Sequence, residues 1–388
     1  MQPIKSIYCL LLALCILSFS CKTDKKEEKL PISNTSEKSI STLQHAKGFT
    51  VEKQGDLTVI KVLSPWPDAD KDFTYALIPK EKAATMTLDR NAYDAIVLTP
   101  IERIVVTSTT HIPTLEMLDV EHTLIGFPDT DYISSEKTRA LIDAEKVKDI
   151  GQNDQINIEL LIDLQPELVI GFSINNANST YKTIQKAKIP VVYNGDWTEG
   201  TPLGRAEWIH FFAPFFHKEA KATEVFNTIK ENYNEAKKLA LKATKKPTIL
   251  AGAMYKDIWY LPAGESFQAQ YLIDANADYL WKDSEGTGSL SLSIESVLDK
   301  GSEADIWIGP ARFKTYADME KASKHYTQFA PFKNKKIYST ANTIGKTGGT
   351  MYYELAPTRP DIVLKDIIKA IHPEILPTYE PYFFKPLL

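Results

Sequence analysis

Cysteine is scarce and confined. Of 388 residues only Cys9, Cys15 and Cys21 carry a thiol, all within the first 21, so neither a disulfide framework nor a cysteine-built metal centre is expected in the rest of the chain. A basic block is missing too: 45 Lys and Arg against 50 Asp and Glu leave a formal charge of −5, and nucleic acid as a main partner would need clustered cations. No His-Glu-x-x-His, Gly-x-Ser-x-Gly or Gly-x-Gly-x-x-Gly occurs, and the seven histidines lack metal-ligand spacing. Gly345-Lys346-Thr347 imitates the end of a phosphate-binding loop, but Thr340 stands where its first Gly is needed. These absences argue against an enzyme and against an intrinsic cofactor or metal. What is present, 43% hydrophobic and 24% charged residues, describes a globular chain with material for one large domain or two medium ones.

Long apolar runs are lacking except at the start, where Lys5 precedes the 13 uncharged residues Ile7 to Phe19. That is short for a bilayer span, and Ser18-Phe19-Ser20-Cys21 resembles a bacterial lipobox, which implies a signal peptide at 1–20 and acylation of Cys21. Residues 21–46, poor in large apolar side chains, read as a flexible tether reaching about 80 Å when fully extended. From 47 to 100 the pattern is β-rich: Phe49-Thr50-Val51, a Gly55-Asp56 turn, Leu57 to Leu63, and Phe73 to Ile78. Beyond 100, apolar runs at Arg103 to Ser108, Thr123 to Phe127, Glu167 to Phe172 and Pro190 to Asn194 alternate with helical stretches, the mark of a parallel α/β sheet. Ala222, Val225, Phe226, Ile229, Tyr233, Ala236 and Leu239 recur every three or four residues and predict one helix from Lys218 to Ala243, about 39 Å long. A helix of that length can bridge two lobes. The alternation resumes at Thr248 to Tyr255, Trp259 to Leu261, Ala304 to Gly309 and Lys336 to Ser339, then ends in an amphipathic helix near Asp361 to Ile371. The expected fold is therefore α/β: two Rossmann-like lobes at 101–205 and 246–388, linking helices at 206–245 with one long helix, and a β-rich N-terminal appendage at 47–100.

One device occurs twice. Asn157-Ile-Glu159-Leu-Leu-Ile-Asp163 followed by Glu167-Leu-Val-Ile-Gly171 is mirrored by Ser293-Ile-Glu295-Ser-Val-Leu-Asp299 followed by Ala304-Asp-Ile-Trp-Ile-Gly309. Each copy offers an N-cap residue, a Glu in the first helical turn and an apolar strand ending in Gly. Singly, each Glu complements the positive end of its helix. As a pair at matching places in two lobes they read as two exposed anionic knobs.

The lipobox, the echoed segments, the single long helix and the tail Arg359 to Pro373 together resemble the class III periplasmic binding proteins, the substrate-binding components of ABC importers for iron chelates, haem and cobalamin. The resemblance covers about residues 100–388, and the tether and appendage look like those of Bacteroidetes-type lipoproteins. It implies that a ligand sits in a cleft between lobes and that Glu159 and Glu295 pair with arginines of an ABC permease. It places Tyr132 and Asn153 near the ligand in the first lobe, and Trp259, Tyr260, Ser289, Tyr352 and Tyr353 in the second, although neighbours such as Tyr352 and Tyr353 cannot both face one way in a strand. Trp197, on a loop after the Pro190 strand, and His111, on the loop after the Arg103 strand, are further candidates by position. Aromatic walls suit a bulky chelate, which offers area and π faces. In cobalamin-binding relatives a Trp lies six residues before each docking Glu; here those positions are Asn153 and Ser289, which speaks against cobalamin. The resemblance thus implies a monomeric, non-enzymatic lipoprotein in the periplasm of a Gram-negative bacterium, anchored through Cys21, that carries a metal chelate, foremost an iron siderophore, to its permease. The alternatives are a cobalamin or haem carrier and a chelate-modifying surface enzyme.

Overall fold

The computed structural model describes residues 38–40, 43–67, 69–175 and 179–388. The signal segment, Cys21 and most of the tether lie outside the described residues. Two parallel sheets form around separate apolar cores. The first runs in the order Val191–Asn194, Leu168–Phe172, Ile104–Val106, Leu124–Phe127, Lys148–Asp149. Its central strands are covered on both faces, which is why they read as unbroken apolar runs rather than alternating ones. The second runs Asp278–Tyr279, Thr248–Ala251, Ile306–Ile308, Ile337–Ser339, closed by the antiparallel strand Lys385–Pro386.

The long helix is Glu219–Ala240, 22 residues and about 33 Å. Its first half sends Ala222, Phe226 and Ile229 into the first core, and its second half sends Tyr233, Ala236 and Ala240 into the other. It is shorter than the apolar period predicts. Lys218 supplies no side-chain cap, and past Ala240 the chain tightens into turns whose carbonyls at Ala240 and Ala243 accept the Asn276 amide at 3.2 and 3.3 Å.

The β-rich appendage is a five-stranded sheet in the order Lys38–Ile40, Phe49–Gln54, Leu57–Val62, Phe73–Pro79, Ala95–Thr99. Two features correct the sequence reading. The last strand was not expected, because it reaches its parallel partner Phe73–Pro79 through an irregular crossover instead of a hairpin turn. The first strand lies inside the expected tether, and residues 44–48 are fastened as well. Glu207 accepts the N–H groups of Gln44, His45 and Ala46 at 2.9, 2.7 and 2.7 Å, and Glu199 those of Lys47 and Gly48 at 2.8 Å each. The acceptors lie more than 150 residues away in sequence, so no local pattern could announce them. The appendage also covers the outer strand of the first sheet. Tyr193 on that strand donates its N–H to the Tyr75 hydroxyl at 2.9 Å, and its ring meets those of Trp66 and Phe73. One outward N–H of that edge strand is thereby satisfied and its rings are covered.

The expected strand Thr248 to Tyr255 breaks in two at Gly252, whose φ is +76°. A Cβ there would stand 1.9 Å from the Tyr260 carbonyl oxygen, so only glycine can make this bend. Beyond it the chain enters a separate antiparallel side sheet, Ala253–Tyr255, Ile258–Pro262, Ser289–Ser293.

Candidate functional site

Where chain order reverses in a parallel sheet, two neighbouring strands point their carboxyl ends into one crevice. In the second sheet that place is between Thr248–Ala251 and Ile306–Ile308. A cavity of about 760 Å³ opens there, floored by Ala251, Gly252, Ile308 and Gly309. Six tyrosines wall it, Tyr255, Tyr260, Tyr271, Tyr326, Tyr352 and Tyr353, together with Phe313 and Phe384. Among the described residues its charged lining is Lys256 and Arg312, both exposed, with no Asp or Glu. Burial pushes the Tyr352 phenol up to about 12, with the nearby Arg205 guanidinium working the other way. Tyr271 and Tyr326 are raised by burial as well. These phenols stay protonated at neutral pH and can donate hydrogen bonds. The arrangement can hold a large, partly aromatic, negatively charged molecule: area from the rings, charge from two cations, hydroxyls for orientation.

Of the expected ligand residues, Tyr260, Ser289, Tyr352 and Tyr353 are brought together on this cavity. The two neighbouring tyrosines both reach it because Met351–Leu355 is a helical turn, not a strand, and sets their rings 5.8 Å apart. Trp259 does not reach it. The side chain is 0% exposed, stacked on Trp307 at 5.2 Å, and its indole N–H donates to the Ala251 carbonyl. Strand alternation sends Trp259 into the core and Tyr260 outward.

The first-lobe candidates line none of this cavity. His111 is buried, its ring 5.3 Å from Phe212, and burial lowers its pKa to about 4, so it is uncharged at neutral pH. Asn153 is tied up by the Tyr181 hydroxyl at 2.9 Å. Trp197 packs on Phe172 at 6.0 Å, and Tyr132 is exposed. The sequence reading missed Lys256, Arg312, Tyr255, Tyr271, Tyr326, Phe313 and Phe384. Arg312 lies three residues beyond Gly309 in the loop that follows a parallel strand, and that position was a usable signal.

Both anionic knobs stand in solvent. Asn157 caps its helix by accepting the Leu160 N–H at 3.0 Å, and Ser293 caps the other through the Ser296 N–H at 3.3 Å. Glu159 and Glu295, each in the first turn, are exposed. Glu295 is held below the usual carboxylate range by its own backbone N–H and the Ser293 hydroxyl.

The long helix is not the sole tie between the lobes. The segment after Ile337–Ser339 reaches back to the first lobe. There the Glu354 carboxylate accepts the N–H of Ser134 at 2.6 Å and of Ser135 at 2.9 Å. Thr347 donates to the Asp131 carbonyl at 2.6 Å, and Lys346 pairs with Asp143 at 3.3 Å. Consecutive residues of one short helix therefore wall the cavity and clasp the opposite lobe.

A family model described as periplasmic binding protein matches residues 104–343. An uncharacterized lipoprotein of Methanocaldococcus jannaschii is 23% identical over 299 residues, covering 74% of this chain and 69% of its own. Among solved structures, a chain described as "a possible iron-binding (periplasmic solute-binding) protein" from Staphylococcus epidermidis superposes with a TM-score of 0.56 at 19% identity, over 71% of this chain and 100% of that one. A periplasmic haem-binding protein of Vibrio cholerae gives 0.52 at 17% identity, over 68% of this chain and 99% of that one.

Proposed function

We infer the function from one premise: this chain belongs to the periplasmic binding protein family. On that footing it is a substrate-binding lipoprotein of an ABC importer. It captures an anionic metal chelate, foremost an iron siderophore, and delivers it to a permease that its two glutamate tips engage. The observation that carries this reading is the aromatic cavity at the carboxyl ends of the second sheet, whose charged lining residues, among the described residues, are the cations Lys256 and Arg312. A neutral or cationic cargo gains nothing from that pair. A chelate bearing carboxylate or catecholate oxygens is attracted and oriented by it. Acylated Cys21 holds the monomeric carrier at the periplasmic face of a membrane, a reading supported by the lipoprotein relative.

The experiment is a binding panel: ferric tricatecholate, ferric citrate, a neutral ferric hydroxamate, haem and cyanocobalamin, each titrated by quenching of intrinsic tryptophan fluorescence, with products sought in parallel. The anionic ferric chelates are expected to bind without turnover. Arg312→Ala with Lys256→Ala is expected to weaken them about tenfold or more, leaving a neutral hydroxamate unchanged. Preferential binding of the neutral chelate, or conversion of any chelate, would overturn the reading. Haem, whose two carboxylates could also meet the two cations, is separated from the ferric chelates by the same panel.

A further inference from the structure

The side sheet leaves one edge open. Its strands lie in the order Ala253–Tyr255, Ile258–Pro262, Ser289–Ser293, so among the described residues the last is paired on one side only. The ladder register decides which backbone groups face out. Glu265 N–H donates to the Gly286 carbonyl at 3.2 Å and Ala263 N–H to that of Gly288 at 2.9 Å. Every second pair continues this series, Leu261 with Leu290 and Trp259 with Leu292. The N–H and C=O groups of Ser289 and Ser291 and the N–H of Ser293 consequently point away from the sheet, and all three residues are exposed; the Ser293 C=O, at the helix N-cap, takes the first intrahelical bond. Leu290 and Leu292 pack against the second core, which fixes the register.

Edge strands are usually protected by a lysine, a proline or a bulge. Ser289-Leu290-Ser291-Leu292-Ser293 has none of these, and its pairing is regular. Exposed acids flank it, Glu285 before and Glu295 and Asp299 after. The strand runs directly into the cap of the helix that presents Glu295.

We propose that this edge receives an extended, basic segment of the permease by strand addition, so that the second-lobe tip docks through a backbone ladder as well as through Glu295. The proposal rests on the docking reading above. The occupant is extended because the groups awaiting partners are a row of backbone donors and acceptors, and basic because acids stand at both ends of the row. Among the described residues the first lobe has no counterpart. The strands before Glu159, Gly151–Gln152 and Gln155–Ile156, are two residues each and pair with one another. Two tips that look alike in sequence therefore engage differently, which tells the permease which lobe is which.

The test uses fluorescence polarisation with a labelled extended peptide of alternating threonine and valine bearing a lysine at each end. Ser291→Pro deletes one outward N–H, at a place where an edge strand accepts proline, whereas Ser291→Ala leaves the backbone intact. The expected result is saturable binding to the parent and to Ser291→Ala, and binding weaker by about tenfold for Ser291→Pro. The same peptide N-methylated on alternate amides should lose binding to the parent, a control that does not depend on any variant folding. Failure of the lysine peptide to bind, equal binding by Ser291→Pro, or tolerance of N-methylation overturns strand addition. Sedimentation that shows a dimer abolished by Ser291→Pro assigns the edge to a second copy and also overturns it. Transport assays separate the two levels. If Glu159→Arg with Glu295→Arg blocks uptake and Ser291→Pro does not, strand addition fails and docking stands; if neither blocks uptake, the docking reading fails.

Discussion

Replacing Glu354 by Gln should change how the stability of the protein depends on pH. The carboxyl is 4% exposed and spans the lobe boundary to the Ser134 and Ser135 N–H groups. Burial raises its pKa from an ordinary 4.5 to about 7; the two N–H bonds oppose that rise, and the negative charge of Glu116 adds to it. Below about 4.5 the group is protonated in both folded and unfolded chains and costs nothing. As pH climbs from there to about 7, the unfolded chain ionises first and the folded state loses ground. Above about 7 the whole cost is present, roughly 3 kcal/mol. Stability therefore falls as pH rises through this window, and Glu354→Gln, which cannot titrate, escapes the fall. In urea unfolding at a series of pH values, the variant's stability relative to the parent should improve by roughly 3 kcal/mol between about pH 4.5 and pH 8. Glu116→Gln in an otherwise unchanged chain should lower the carboxyl's pKa and shrink the window. Glu136, Lys137, Arg139 and Lys346 line the same pocket, with Lys346 already paired to Asp143, so mutating Lys346 should matter less than mutating Glu116. Stability curves for parent and Glu354→Gln that stay parallel within about 1 kcal/mol would refute the argument.

Gly252→Ala places a Cβ against the Tyr260 carbonyl at a φ of +76°; it should cost more than about 3 kcal/mol and reduce the yield of folded protein, as read by thermal melting. Trp259→Ala should cost about 3 to 5 kcal/mol because the ring is wholly buried, whereas Tyr260→Ala next to it should weaken chelate binding and leave the melting temperature nearly unchanged. Glu159→Arg with Glu295→Arg should abolish uptake in cells, while chelate affinity measured on the purified protein stays within about threefold; a larger loss of affinity would contradict a docking role for these exposed side chains.

Much of the fold was legible because its elements are covered by apolar contacts that leave a local imprint. The runs around Ile104–Val106, Leu168–Phe172 and Ile306–Ile308 are apolar because those strands have no solvent face. The spanning helix shows its period because one stripe faces two cores. The N-caps at Asn157 and Ser293 are read from residue type alone. The failures share a different origin. The C-terminal end of the long helix met Asn276, the fastening of residues 44–48 depended on Glu199 and Glu207, and the fate of Trp259 on which side of a strand faced the core. None of these leaves a trace in the neighbouring sequence.

Sequence alone was enough to read the α/β class, the bridging helix and the two capped helix starts from periodicity and capping within about twenty residues, while the two-lobe plan and the pairing of the glutamates came from the echo between distant segments and the family resemblance it carries. Tertiary structure decided which aromatics meet at the cavity, that Lys256 and Arg312 bring their charge to its lining, and that Glu354 clasps the opposite lobe. Those facts depend on segments far apart in the chain arriving within a few ångströms of one another. Such meetings are set by how the sheets pack and where their chain order reverses, and no short stretch of residues encodes them.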